Sequence, residues 1–167
     1  RFGLGARVRR VDLSKDKSER IAIFRSLLLS FVNDSLASIG GRDVVVPISG
    51  GLDSRLILAA LLENIESKQI STYSFGEPGS LDFEIGCKVA KTFGTRHTAI
   101  DLSRLEVDES TLLYDSEMGC GQTMLFHSTP FAILKSHYGD DVTYWSGFMG
   151  DPIAGSKLSV EVMSEQI

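Results

Sequence analysis

The sequence predicts an α/β fold: a doubly wound parallel sheet wrapped by helices, entered through an N-terminal helix. Three observations carry this. Short apolar runs alternate with segments of helical spacing (strand, helix, strand, helix, strand, helix, strand), and crossovers of that length join parallel neighbours. Three of the loops that follow strands are rich in glycine, serine and carboxylate (49–54, 75–80 and 146–151). All three would lie beyond the carboxyl ends of the strands, where open α/β sheets bind ligands.

The elements follow in order. Residues 1–17 are mixed and basic, with Arg7, Arg9 and Arg10, and read either as a linker from an upstream domain or as a small basic surface. The domain proper is expected over 18–167, as part of a longer protein. Asp16 is placed to cap the first helix, with Glu19 at the capping-box position. Ile21, Phe24, Leu28, Phe31, Val32, Leu36 and Ile39 then recur at helical spacing until Gly40-Gly41. That apolar stripe is expected to be buried core.

Residues 44–48 read as a buried strand, although Pro47 cannot donate to a ladder and pairing is expected to finish there. The helix over 54–65 is apolar almost all round, which predicts deep burial. Residues 70–75 form the second strand and Gly76-Glu77-Pro78-Gly79-Ser80 a turn. Residues 82–93 form an amphipathic helix and 98–102 a short third strand. Residues 106–123 have no legible pattern. Helix resumes at Ser128-Thr129-Pro130, proline being welcome in a first turn, and runs to Tyr138. Residues 142–145 make the fourth strand.

With 167 residues the chain suits a single domain, which would bury about 70% of its unfolded surface. Its 43% hydrophobic and 23% charged residues are those of a soluble globular protein. A net charge of −5 offers no basic field for nucleic acid. Cys87 and Cys120 have no zinc spacing and make no disulfide framework, consistent with a reducing, cytoplasmic setting. No apolar run is expected to approach the ~20 residues of a membrane span, and no signal peptide is visible.

The chemistry centres on Pro47-Ile48-Ser49-Gly50-Gly51-Leu52-Asp53-Ser54. Glycines allow positive φ and a close approach to a ligand. Consecutive amides at a helix start can form an anion nest. The hydroxyls of Ser49 and Ser54 can donate to phosphate, whereas Asp53 would repel it and so implies a metal between them. The turn lacks the lysine of Gly-x-x-x-x-Gly-Lys-Ser/Thr and the spacing of Gly-x-Gly-x-x-Gly. It resembles instead the PP-loop of the ATP pyrophosphatases, Ser-Gly-Gly-x-Asp-Ser.

Further motifs narrow the resemblance. Gly76-Glu77-Pro78-Gly79-Ser80-Leu81-Asp82, Phe93-Gly94-Thr95-Arg96-His97, Ser128-Thr129-Pro130 and Ser146-Gly147-Phe148-Met149-Gly150-Asp151 occur in that order. Over about residues 18–157 the chain is similar to the synthetase domain of the asparagine synthase family, whose fold is of the PP-loop, adenine-nucleotide alpha-hydrolase-like type. The resemblance implies ATP along Ile48, Phe75, Gly76, Ser146 and Gly147, with pyrophosphate on Ser49, Gly50, Gly51, Asp53 and Ser54. It also implies Mg²⁺ on Asp53 and Asp151, which would be the catalytic carboxylates. The implied chemistry is adenylation of a small-molecule carboxylate, followed by displacement of AMP by ammonia or another amine. An upstream glutaminase domain is implied in the full-length protein.

There are departures from the family pattern. Phe148 and Pro152 stand where the last motif carries glutamates, the first of them the family's acidic catalytic position, and phenylalanine can neither accept a proton nor orient an amine. A nucleotide-binding module that has lost catalysis, serving as sensor or scaffold, is therefore the alternative. A PP-loop enzyme that modifies tRNA is disfavoured by the acidic surface. His97 reads as structural, and Cys120 has no base beside it in sequence to make it a reactive thiol.

Overall fold

The computed structural model describes residues 16–104, 108–118 and 130–147. The order of elements is α1 (Lys17–Ser38), β1 (Asp43–Pro47), α2 (Leu52–Leu62), β2 (Ile70–Gly76), α3 (Leu81–Phe93), β3 (Arg96–Asp101), α4 (Glu109–Met118), α5 (Phe131–Tyr138) and β4 (Val142–Tyr144). The four strands form one sheet in the order β3-β2-β1-β4, parallel throughout. The expected α/β architecture with its N-terminal helix is therefore present. After β1 the chain moves outward through β2 to β3, then returns to place β4 on the other side of β1. That reversal puts the topological switch between β1 and β4, where ligand crevices open in such sheets.

Alternation along the strands builds two cores. Val44, Val46 and Ile48 point to the face covered by α1 and α2, where they pack with Val32, Leu58, Leu61 and Trp145. Val45 points to the opposite face and meets Tyr73, Ile100 and Leu134 of α5. Both faces of β2 are covered, so residues 70–74 are all buried. Pro47 lies in a strand with neighbours on both sides, and the register explains how it is tolerated. Ile48 donates to the Tyr73 carbonyl on the β2 side (2.8 Å), so by alternation the missing donor of Pro47 faces β4. Pairing of β1 with β4 has already ended at Val45↔Tyr144.

Helix α2 is not buried all round as expected: Leu58, Ala60 and Leu61 are buried, but Leu52 and Leu56 are exposed. Three further expectations change. The α1 stripe is not uniformly core: Val32 is fully buried, but Ile21, Phe24 and Phe31 are more than half exposed. Only the side of α1 carrying Leu28, Leu29, Val32, Leu36 and Ile39 meets the sheet core, and Arg25 ties the helix to Glu63 after α2 at 3.0 Å. By length and composition α1 could cross a membrane, as no other helix among the described residues could; Arg25 and Asp34 interrupt it. Second, the illegible stretch contains a helix, α4, whose Asp115 accepts from the Ala132 amide (3.0 Å) and so caps the first turn of α5. Third, α5 begins at Phe131 with Pro130 at its N-cap; Ser128 and Thr129, like the segment 1–15, lie outside the described residues.

Candidate functional site

The turn between β1 and α2 is fixed by side chains rather than by backbone ladders. Ile48 is its anchor. Its side chain is in the core, its N–H is given to Tyr73, and its carbonyl accepts the buried Ser74 hydroxyl at 2.6 Å. Helix α3 lies directly over that bond: a Cβ on Gly86 would strike the Ser74 hydroxyl and approach the Ile48 carbonyl oxygen to 2.5 Å. A glycine inside a helix costs about 1 kcal/mol relative to alanine, and here it is the condition for α3 to pack.

Beyond Ile48, each polar backbone group of Gly50 and Gly51 is answered. The Gly50 amide donates to Asp82 Oδ1 (3.0 Å) and the Gly51 amide to Ser49 Oγ (3.1 Å). Arg55 donates from Nη2 to the Gly50 carbonyl (2.8 Å) and from Nε to the Gly51 carbonyl (3.0 Å). Ser54 Oγ, buried, lies 3.4 Å from both the Ser49 amide and Ser49 Oγ, and 3.3 Å from the Gly51 carbonyl. Neither Gly50 nor Gly51 is among the positive-φ glycines of the described residues, and Gly51 sits at φ −69°. Of the two freedoms that glycine allows, positive φ and close approach, the turn does not use the first. These glycines serve close approach: a Cβ on Gly50 would come to 2.6 Å from Asp82 Oδ1.

The donors left facing outward are those of α2. Gly51 is its N-cap and no side chain caps it, so the first-turn amides, from Leu52 onward, are presented with the positive end of the helix dipole. Asp53 lies in this first turn, half-buried. The hydroxyls of Ser49 and Ser54 stand beside it.

The other loops reach this point unequally. Trp145, just past β4, donates to the Val45 carbonyl at 2.8 Å. That brings Gly147 onto the α2 start, where its Cβ position would fall 2.6 Å from both Asp53 C and Ser54 N. Ser146 precedes it, exposed. Phe75 and Gly76 end β2 on the same edge, but the Phe75 ring packs toward Tyr73 (centroids 6.2 Å apart) on the α5 face. The structure therefore brings together Ile48, Ser49, Gly50, Gly51, Asp53, Ser54 and Gly147. Phe148, Asp151, Pro152 and Cys120 lie outside the described residues.

Among the described residues no group of three or more His, Cys, Asp or Glu could hold a metal. Asp53 alone still suits Mg²⁺, which keeps several waters and binds through one or two carboxylates together with substrate phosphates. His97 lies away from this edge, near the start of β3, with Nδ1 3.0 Å from Thr72 Oγ1. Burial lowers its pKa below the usual histidine value. This accords with a structural role.

Arg55, Ser74, Asp82 and Gly86 had not been singled out as site residues. Asp82 carried a legible signal as the last residue of the 76–82 motif, and Gly86 as a glycine within an amphipathic helix. A family model described as asparagine synthase matches residues 24–115, just over half of the chain. The match takes in the first turn, the 76–82 segment and the Phe93–His97 segment.

Proposed function

The chain belongs to the asparagine synthase family, and from that premise we propose that it is the ATP-binding part of an adenylate-forming amide synthetase. The supporting observation is the uncapped start of α2, with the Ser49 and Ser54 hydroxyls and Asp53 beside it, at the switch point against Gly147. An oxygen of the substrate carboxylate attacks the α-phosphorus of ATP, pyrophosphate leaves, and an amine nitrogen then displaces AMP to form the amide. Charge grows on the departing pyrophosphate, and preorganised amides and hydroxyls stabilise it without reorganisation. Asp53 and Asp151 would hold Mg²⁺, which neutralises phosphate charge when bound. Ile48, Phe75, Gly76, Ser146 and Gly147 are the proposed adenosine wall. The full-length protein would draw its nitrogen from ammonia or from an upstream glutaminase domain, in the cytoplasm, without nucleic acid or membrane.

Calorimetry on the full-length protein tests the binding step. MgATP is expected to bind, pyrophosphate to compete, and Ser54→Ala to weaken both; absence of ATP and AMP binding to folded protein would overturn the reading.

One observation favours a second reading, a catalytically degenerate nucleotide-binding module: Phe148 and Pro152 replace the family's glutamates. A general base contributes about 10²- to 10⁴-fold, whereas phosphate stabilisation survives its loss. The expected outcome is uncoupling, with ATP bound and pyrophosphate released slowly, but little asparagine made from aspartate and ammonia. Quantifying asparagine and AMP decides it. Brisk, stoichiometric formation of both would mean that Phe148 is tolerated.

A further inference from the structure

Among the described residues, Arg55 is the side chain that bonds to two successive carbonyls of the turn. It follows Ser54 by one residue and reaches back to Gly51 and Gly50, four and five positions earlier, with Nε and Nη2 at 3.0 and 2.8 Å. Its Nη2 bond opposes the hydrogen bond of Asp82 to the Gly50 amide. Gly50 is therefore held at both polar groups, one by a cation and one by an anion.

The consequence is directional. A peptide unit points its C=O and the following N–H in opposite directions, so fixing the Gly50 and Gly51 carbonyls on Arg55 turns the Gly51 and Leu52 amides away from it. The Gly51 amide is taken by Ser49 Oγ at 3.1 Å, which leaves the Leu52 amide at the entrance to α2, where an anion would be received. Without the fork both carbonyls of this Gly-Gly turn lose a charged donor and its backbone gains freedom, which must be ordered at the moment of binding and so weakens affinity.

We propose that Arg55 is a positioning residue of the ATP site: its guanidinium fork preorganises the Gly50–Gly51 turn so that the Leu52 amide at the α2 start faces the pyrophosphate. The inference rests on the ATP-binding reading above, but its effect on the loop does not require a ligand. Lysine cannot substitute, since a point charge lacks the planar fork that spans two acceptors.

Two measurements on the full-length protein test this. In the first, ligand-free protein is followed by amide hydrogen exchange. Arg55→Ala should exchange at the Gly50 and Gly51 amides about tenfold faster, with Leu58, Ala60 and Leu61 in the body of α2 unchanged. Equal exchange in variant and parent overturns the clamp, whether or not the protein binds ATP. In the second, MgATP is titrated. Arg55→Ala should bind about tenfold more weakly, with affinity restored by added guanidinium but not by ammonium. Arg55→Lys should resemble the alanine variant. Wild-type affinity in Arg55→Lys, or equal rescue by ammonium, would show that charge alone suffices and would overturn the proposal. Should Arg55→Ala not fold, Arg55→Lys carries both measurements, since it keeps the charge and loses the fork. A parent protein that does not bind MgATP sinks the functional reading, and the exchange measurement then judges the clamp alone.

Discussion

Two strand-to-helix turns leave the same edge of the sheet, after β1 and after β2, and their glycines do different work. In the first, Gly50 has no room: a Cβ would press on Asp82 Oδ1, while its two polar groups are bonded to Asp82 and Arg55. In the second, Gly79 has open space around its Cβ position but a φ of +92°, which side-chain-bearing residues rarely adopt. One glycine is there for approach and the other for conformation. A turn built for approach is held by converging side chains and faces what it binds. A turn tip built for conformation, as at Gly79, redirects the chain. Composition alone makes the two look alike.

The largest expected effect comes from the residue that presses on the first turn from across the switch point. A Cβ on Gly147 would meet Asp53 C and Ser54 N at 2.6 Å and Asp53 O at 2.9 Å. All three are backbone atoms at the start of a helix, so none can swing aside. Gly147→Ala is expected to cost about 3 kcal/mol, at the upper end of overpacking penalties, and to weaken MgATP binding more than tenfold. Urea unfolding and titration read the two quantities. A wild-type midpoint would mean that the loop after β4 does not seat on α2.

A smaller effect sharpens the comparison. Gly50→Ala clashes with the end of one side chain, its other neighbours, Ile85 Cδ1 and Asp82 Cα, lying at ordinary contact distance, so Asp82 rotates away and one hydrogen bond is lost, about 1 kcal/mol. Asp82→Ala removes the same bond from the other side. Because both variants break one interaction, their costs should not add. The double variant should be no less stable than the worse single one, a coupling of about 1 kcal/mol in a double-mutant cycle. Strict additivity would mean that the Gly50–Asp82 contact contributes nothing.

How much of this was legible in the sequence depends on range. Strands β1 and β2 and the helices α2 and α3 follow from local apolar pattern and from glycine punctuation, and the first turn announces itself because Ser-Gly-Gly-Leu-Asp-Ser is contiguous. What holds that turn is not contiguous. Asp82 comes from α3 and Ser74 from β2, and nothing about an aspartate in a first helical turn says that it will accept from an amide 32 positions earlier. Arg55 was close enough to read, yet an arginine on a helix is ordinarily a solvated charge; only the fold of the turn brings two carbonyls within its reach. The α1 stripe misled for the opposite reason. Helical spacing shows that a face is apolar, but the sheet is wide enough to cover only the side carrying Val32. Helix α4 was missed because its charges and hydroxyls mask any periodicity.

The smallest effect tests the second turn, and with it the distinction between the two. At Gly79 nothing lies within 4 Å of the added Cβ, so substitution cannot displace a neighbour, and the whole cost is backbone strain at positive φ. Alanine there should cost about 1 kcal/mol. Asparagine, which tolerates positive φ better, should recover part of it. The Gly79 amide donates to Glu84 Oε1 at 2.9 Å, a bond that neither variant removes, so the turn should keep its shape. MgATP affinity is therefore expected to equal that of the parent while the urea midpoint falls slightly. Loss of affinity in Gly79→Ala comparable to that in Gly147→Ala would mean that the tip of the second turn, and not only Phe75 and Gly76 at its start, faces the nucleotide, and that the separation into approach and conformation is wrong. A fall in midpoint for asparagine as large as for alanine would place the cost in something other than φ.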